Sequence, residues 1–200
     1  MNSKLIIVTG YLAAVKTTFA LNLSQELRIP CFSKDLLKIS LSRALPVNDR
    51  DGSKRLSAAA FDAIEFIAER FMETHCPLII EANFDMDENH GGIKEGDALK
   101  MLADRYNYRT LTYLFTGDPL VLFERFKRRD KMPQRGRTNY EWGEFTLKDY
   151  ENAASSLERF NIGGQLERID STDYDSVDFA HHIETARKFI GLDEVDYTMY

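Results

Sequence analysis

Five short apolar segments alternate with longer amphipathic segments along the chain. The first, residues 5–10 (LIIVTG), is continuously apolar and ends in glycine. This pattern is typical of a strand that is buried on both faces of a sheet. Similar runs predict further strands at residues 29–33, 77–84, 110–117 and 166–172. The amphipathic segments predict helices at residues 17–28, 35–45, 53–75, 94–106, 118–130, 145–160 and 176–191.

Every connection between consecutive strands is long enough to contain a helix. Such crossover connections favour parallel pairing, so the pattern predicts an α/β fold with a doubly wound, five-stranded parallel sheet. Sheets of this kind bind ligands at the carboxyl ends of their strands. Polar residues and glycine gather at those ends, namely Gly10, Ser33–Asp35, Glu81–Asn83, Thr116–Asp118 and Asp170–Thr172.

The segment after the first strand, GYLAAVKTT (10–18), nearly matches the phosphate-binding loop G-x-x-x-x-G-K-[ST]. In such a loop, N–H groups at a helix N-terminus bind phosphate oxygens, the lysine contacts the terminal phosphates and the hydroxyl binds Mg²⁺. KTT could instead simply begin a helix, but the strand before it and the helix after it favour the motif. The motif predicts an ATP and Mg²⁺ site built from Gly10, Ala13, Ala14, Val15, Lys16, Thr17 and Thr18.

Val15 occupies the position of the second glycine in this motif. One possibility is that Val15 adopts a left-handed conformation, which costs a branched residue about 1–3 kcal/mol. If that cost fell on the bound state, nucleotide affinity would drop by roughly one to two decades. The other possibility is that Val15 keeps a negative φ, in which case some N–H groups point away from phosphate.

Four segments give the chain a resemblance to the P-loop kinases of the zeta-toxin, chloramphenicol phosphotransferase and polynucleotide 5′-kinase type. They are GYLAAVKTTFA, FSKDLLK, PLIIEANF and LFTGDPLVLFERFKRR, which lie between residues 4 and about 137. The resemblance implies a P-loop NTPase sheet with the nucleoside-monophosphate-kinase order 2-3-1-4-5. It also implies a single kinase domain over residues 1–192, with a basic lid at about 125–144. Residues 193–200 are expected to form an acidic tail.

The resemblance implies roles for three residues at the ends of the second and third strands. Asp35 would accept or orient the proton of the acceptor hydroxyl, although an aspartate there could instead cap the following helix. Asn83 would contact the acceptor. Glu81 would hold the metal or its water together with Thr17, and a structural ion pair is the alternative explanation for a carboxylate at this place.

A basic cluster follows the fourth strand. Between residues 125 and 137, seven residues are Lys or Arg and one is acidic. A run of this kind is usually a solvated face, but the related kinases carry their lid at this place, and lid arginines offset charge on the transferred phosphoryl group. Arg125, Arg128 and Arg129 recur at helical spacing on one face. The predicted roles are catalytic for Arg125 and Arg129, nucleotide contact for Arg128 and Thr172, and substrate contact for Arg137.

These features predict an ATP- and Mg²⁺-dependent kinase that transfers the γ-phosphate to a hydroxyl of a small molecule. Two alternatives stay open: a polynucleotide or RNA-end 5′-hydroxyl kinase, and a nucleotide-binding protein whose catalysis is impaired by Val15. The net charge of −6 disfavours a nucleic-acid partner without excluding it. No segment has the length of a signal h-region or a membrane span, so we expect a cytoplasmic protein with no membrane partner.

Overall fold

The computed structural model describes residues 3–87, 91–130 and 145–192 of the 200-residue chain. Its strands are β1 (Lys4–Gly10), β2 (Cys31–Ser33), β3 (Leu78–Glu81), β4 (Arg109–Thr116) and β5 (Gln165–Asp170). All neighbouring strands pair in parallel, and their order across the sheet is β2-β3-β1-β4-β5. The predicted α/β fold and the predicted strand order are therefore confirmed.

Seven helices connect and cover the strands in this described part of the chain. They are α1 (Lys16–Leu27), α2 (Lys34–Ser42), α3 (Arg50–Glu73), α4 (Gly92–Arg105), α5 (Pro119–Asp130), α6 (Leu147–Leu157) and α7 (Phe179–Ile190). Asp118 caps α5, because its side chain accepts hydrogen bonds from the backbone N–H groups of Leu120 and Val121. No helix among these is long and apolar enough to cross a lipid bilayer.

Several predicted elements extend further along the chain than the strands and helix that the structure contains. The second strand begins at Cys31 rather than at residue 29, because β2 pairs with β3 over only three positions. The third strand ends at Glu81, so Asn83 lies in the loop beyond the sheet. The second helix ends at Ser42, before Pro46 could stop it. Local apolar patterning marks where a strand can form, whereas its length depends on the neighbouring strand.

Strand β1 is the centre of the core because all seven of its residues are buried. Its side chains alternate between two apolar layers. Ile6 and Val8 pack into the layer that contains side chains of α1, α5, α6 and α7. Leu5 and Ile7 pack into the layer formed with α3 and α4. Helices therefore cover both faces of the sheet, and the carboxyl ends of the strands meet at one edge.

Gly10 ends β1 at the point where the chain passes closest to β4. Its φ is 122°, and a Cβ at this position would lie 2.0 Å from the carbonyl oxygen of Phe115. The next N–H group, that of Tyr11, donates to this same oxygen at 2.8 Å. Only glycine therefore allows the chain to leave the sheet here, for reasons of both conformation and space.

We expect Gly10→Ala to lower the free energy of unfolding by roughly 2–6 kcal/mol, since backbone strain and overpacking each cost about 1–3 kcal/mol. Gly163→Ala is the matched control, because Gly163 also has a positive φ of 89° but no atom within 4 Å of the added Cβ. The control substitution should lower the free energy of unfolding by only about 1–2 kcal/mol. Urea unfolding of both variants measures the difference, and equal losses would show that the contact with Phe115 is unimportant.

Candidate functional site

The phosphate-loop segment connects β1 to the first turn of α1. Val15 is the N-cap residue of α1, with φ 57° and ψ 16°, and Ala13 also has φ 57°. Of the two conformations considered for Val15, the left-handed one is therefore found. No described side chain caps this helix start, and the N-terminus of a helix is a favourable place for an anion.

The conformation of Val15 is maintained by contacts within the chain. Its carbonyl accepts the N–H of Phe19 at 3.1 Å, which starts the hydrogen bonding of α1. The ammonium group of Lys16 donates to the carbonyl of Tyr11 at 2.5 Å and closes the loop from within. Because these contacts belong to the folded chain, the cost of the left-handed valine is part of folding rather than of nucleotide binding.

Glu81 is a buried acidic residue that contacts this segment, and it lies at the carboxyl end of β3. The hydroxyl of Thr17 donates to one carboxylate oxygen at 3.3 Å, and that of Ser33 donates to the other at 2.5 Å. Glu81 is 3% exposed and Lys16 is 6% exposed. Three elements that are distant in sequence, β3, β2 and α1, therefore meet at one buried carboxylate.

Burial raises the pKa of Glu81 above its ordinary value, and the nearby carboxylate of Asp35 raises it further. The charge of Lys16 and the hydrogen bonds from Ser33 and Thr17 act in the opposite direction but do not cancel the effect of burial. Taking a carboxylate out of water is costly unless a cation compensates for it. This site would therefore gain from a further positive charge beside Glu81.

Mg²⁺ fits the oxygen atoms that are present here. The ion is commonly held by one or two protein oxygens together with waters and substrate phosphates, so a cage of many carboxylates is not required. Among the described residues there is no cluster of three or more His, Cys, Asp or Glu that could hold a metal by itself. Thr17 and Glu81 would instead form a small protein contribution to such a site.

A cavity of about 600 Å³ opens beside the loop. Asp35 and Asn83, the two predicted acceptor residues, both line it. Its other lining residues include Leu12, Lys38, Arg50, Ser57, Asp85, Asp87, Phe126, Arg129, Phe145, Asp149, Asn152 and Ser156. The amide oxygen of Asn83 is buried and has no hydrogen-bond partner among the described residues, which indicates that a donor from a ligand would be favourable there.

Asp35 does not cap α2, which was the alternative role considered for it. The capping side chain is that of Ser33, which accepts the N–H of Leu36. Asp35 lies in the first turn of α2 and is exposed. Its carboxylate also acts on Lys38, since it partly offsets the lowering of the Lys38 pKa that burial causes.

The three arginines that helical spacing placed together have different surroundings. Arg125 donates to the carbonyls of Ser171 and Thr172, both at 3.0 Å, and so holds the chain that follows β5. Arg128 is exposed and donates to the carbonyl of Glu124 in its own helix. Arg129 alone of the three lines the cavity. Although the three arginines recur at helical spacing, they therefore do not contact a common group or line a common site.

Of three further predicted residues, one has structural contacts, one is exposed and one lies outside the described residues. The hydroxyl of Thr172 donates to Asp170 at 2.6 Å and accepts the N–H of Asp118 at 2.7 Å, which joins the ends of β4 and β5. Thr18 is exposed on the first turn of α1. Arg137, the rest of the predicted lid over 131–144 and the tail at 193–200 lie outside the described residues.

Sequence reasoning missed the residues of α6 that contact the phosphate loop. The hydroxyl of Tyr150 donates to the carbonyl of Leu12 at 2.7 Å, and that of Tyr11 donates to Glu158 at 2.5 Å. No local signal pointed to these contacts, because each pair is more than 130 residues apart in sequence. Ser33, in contrast, could have been recognised as the residue that precedes a helix at a strand end.

Comparison with known proteins supports the P-loop kinase class. No family model and no curated protein matches the chain. Among solved structures, it is similar to a Chloroflexus aurantiacus protein described as a candidate kinase, with 26% identity and a TM-score of 0.81 over 94% of this chain and 99% of that one.

Two more distant structures share the fold. One is a gluconokinase from Sinorhizobium meliloti, with 14% identity and a TM-score of 0.55 over 96% of this chain and 93% of that one. The other comes from the PezAT toxin–antitoxin system of Streptococcus pneumoniae, with 13% identity and a TM-score of 0.56 over 88% of this chain and 71% of that one. Neither likeness assigns the chain to the narrower zeta-toxin or chloramphenicol phosphotransferase type.

The raised pKa of Glu81 predicts a pH dependence of stability. The folded chain holds this proton more tightly than the unfolded chain, so the contribution of Glu81 is fully present below its unfolded pKa and is lost as pH rises through its folded pKa. Because glutamine does not ionise, Glu81→Gln does not lose stability in this way as pH rises. We therefore expect the unfolding free energy of the variant, relative to the original chain, to increase between pH 4 and pH 8 in denaturant titrations.

Glu69→Gln is the control with the opposite sign. The hydrogen bond from Tyr106, followed by the contact with Arg70, lowers the pKa of Glu69, so its contribution is present above the unfolded pKa and is lost as pH falls. This variant should lose relative stability between pH 4 and pH 8. The same trend in both variants would contradict the assignment of a buried, partly compensated carboxylate at Glu81.

Proposed function

We propose that this chain is an ATP- and Mg²⁺-dependent phosphotransferase that moves the γ-phosphate of ATP to a hydroxyl of a small molecule. One observation carries the proposal: Lys16 and Thr17 of the phosphate loop meet the buried Glu81 beside a cavity that contains Asp35. This combination offers a place for phosphates, for a metal and for an acceptor side by side. The likeness to the Chloroflexus candidate kinase supports the same reaction class.

On the nucleotide side, the loop N–H groups and Lys16 would bind the phosphates. Lys16 already lies inside the loop, where its ammonium group contacts the carbonyl of Tyr11. Thr17 and Glu81 would hold Mg²⁺ or its waters, and the ion would supply a positive charge that neutralises the phosphate oxygens during transfer. That charge would also compensate for the burial of the Glu81 carboxylate.

On the acceptor side, Asp35 would accept or orient the proton of the attacking hydroxyl. It is exposed on the first turn of α2 and lines the cavity, so a substrate can reach it. The buried amide oxygen of Asn83 would accept a hydrogen bond from a second donor of the same molecule. A cavity of about 600 Å³ is within the usual range for small-molecule sites.

The basic residues after β4 would neutralise charge on the transferred group. Arg129 is the strongest candidate among the described arginines because it lines the cavity. Arg125 would act more indirectly, since it holds the carbonyls of Ser171 and Thr172. We further propose that residues 125–144 act as a lid within a single domain over residues 1–192, with Arg137 contacting the acceptor.

Asp35→Asn tests the acceptor side of this proposal. Because a positioned general base contributes about 10²- to 10⁴-fold, we expect kcat to fall by that factor while the ATP dissociation constant changes less than about threefold. ADP release across a panel of sugars, nucleosides and other hydroxyl compounds measures kcat, and calorimetry with Mg²⁺ measures ATP binding. Asp104→Asn is a suitable control, since Asp104 is exposed and pairs with Lys100 in α4.

Lys16→Met should weaken ATP binding by at least about tenfold, because it removes the charge that faces the phosphates.

Absence of ATP binding to the original chain at millimolar concentration would overturn the proposal. ATP binding without ADP release for any hydroxyl compound would favour a nucleotide-binding protein without turnover. Phosphorylation of RNA or DNA ends, with a steep loss at raised salt, would favour the polynucleotide kinase instead.

A further inference from the structure

Helix α6 holds the phosphate loop by two hydrogen bonds that act on neighbouring residues. The hydroxyl of Tyr150 donates to the carbonyl of Leu12 at 2.7 Å. The hydroxyl of Tyr11 donates to the carboxylate of Glu158, just beyond the end of α6, at 2.5 Å. The first two residues after Gly10 are therefore tied to a helix that is about 140 residues away in sequence.

Tyr150 is buried in the core, where its ring packs against helix α5. It is 1% exposed, and its ring lies against those of Phe123 and Phe126 on α5, with centroid distances of 5.7 and 6.4 Å. A tyrosine hydroxyl in such surroundings needs a partner, and the carbonyl of Leu12 is that partner. Burial raises the pKa of Tyr150 well above its usual range, so the hydroxyl keeps the proton that it donates.

The contact with Leu12 also determines which way the next peptide group faces. In a trans peptide, the carbonyl and the following N–H point in opposite directions. Because the carbonyl of Leu12 is turned to Tyr150, the N–H of Ala13 points away from α6. A carbonyl that turned to the other side would put a partial negative charge among the N–H groups that a phosphate needs.

The tied segment precedes the two strained residues of the loop: Ala13 follows it directly, and Val15 comes after Ala14. Ala13 and Val15 are both left-handed at φ 57°, a conformation that a branched side chain adopts only when its surroundings impose it. Glycine at residue 15 would adopt the same conformation freely. The hydrogen bonds of Tyr11 and Leu12 therefore restrain the same loop, shortly before the position where it lacks the usual glycine.

We propose that Tyr150, supported by the Tyr11–Glu158 contact, is a positioning residue that holds the loop in its phosphate-binding conformation and so compensates for Val15. This inference rests on the proposed function for the identity of the ligand. The effect of Tyr150 on the conformation of the loop is independent of the proposed function. Tyr150 would act on nucleotide binding without touching the nucleotide.

The test compares the original chain with Tyr150→Phe, Val15→Gly and the double variant. Loss of one hydrogen bond should weaken ATP binding about 5- to 10-fold in Tyr150→Phe, measured by calorimetry with Mg²⁺. Val15→Gly alone should change affinity less than about threefold, because Tyr150 still holds the loop. In the Val15→Gly background, Tyr150→Phe should also weaken ATP binding less than about threefold, since glycine adopts the left-handed conformation unaided.

Kinetics separate positioning from general damage. Tyr150→Phe should raise the KM for ATP and leave kcat within about twofold, because saturating nucleotide restores the loop. Tyr113→Phe is the matched control: Tyr113 is equally buried, and its hydroxyl donates to the carbonyl of His182 at 2.6 Å in α7. This control should lower the melting temperature but leave the ATP affinity unchanged. Equal weakening of ATP binding by both variants would overturn the proposal.

Amide hydrogen exchange without nucleotide tests the loop independently of the proposed function. Tyr150→Phe should speed exchange in a peptide that covers residues 10–18, and Tyr113→Phe should not. Tyr11→Phe, which removes only the contact with Glu158, should give a smaller effect in the same peptide and serves if Tyr150→Phe folds poorly.

If the original chain binds no ATP, the proposed function fails, but the exchange result still decides the role of Tyr150. Unchanged exchange in both loop variants would refute it.

Discussion

The parallel pairing of β1 between β3 and β4 is the constraint on which the site depends. In this register Val8 lies beside Glu81, and Gly10 lies beside Phe115. The chain can leave β1 only at Gly10, where the backbone of β4 allows no side chain. The first turn of α1 then contacts the end of β3 through the hydrogen bond from Thr17 to Glu81. The meeting of the phosphate loop with a buried carboxylate is thus a consequence of strand order and register.

This arrangement concentrates unfavourable electrostatics at the carboxyl edge of the sheet. Glu81 and Lys16 are both almost fully buried, and two hydroxyl groups donate to the carboxylate. These contacts reduce the cost of burial without removing it, as the raised pKa of Glu81 indicates. Strongly perturbed ionisable groups in a cleft are characteristic of functional sites, because a bound ion or substrate supplies the missing compensation.

Backbone strain accumulates in the same few residues. Ala13 and Val15 are left-handed, and neither is glycine. The hydrogen bonds of Lys16, Tyr150 and Glu158 all involve Tyr11 or Leu12, which precede these residues in the same loop. Local conformational preference is therefore violated where long-range contacts are dense, which is the usual location for a functional site. Helix α6 links this loop to the cavity wall, since Asp149, Asn152 and Ser156 line the cavity.

The sequence alone determined the alternation of strands and helices and the spacing of Gly10, Lys16 and Thr17. These features are local, because periodicity reflects the burial of near neighbours along the chain. Only the tertiary structure decided the sign of φ at Val15, the direction of Arg125 toward Ser171 and the contact of Tyr150 with Leu12. The contacts of Arg125 and Tyr150 depend on partners from distant elements, whereas the conformation of Val15 depends on how the loop closes onto the start of α1. Sequence spacing carries no record of such partners, since their distance in space follows from how whole helices and strands pack.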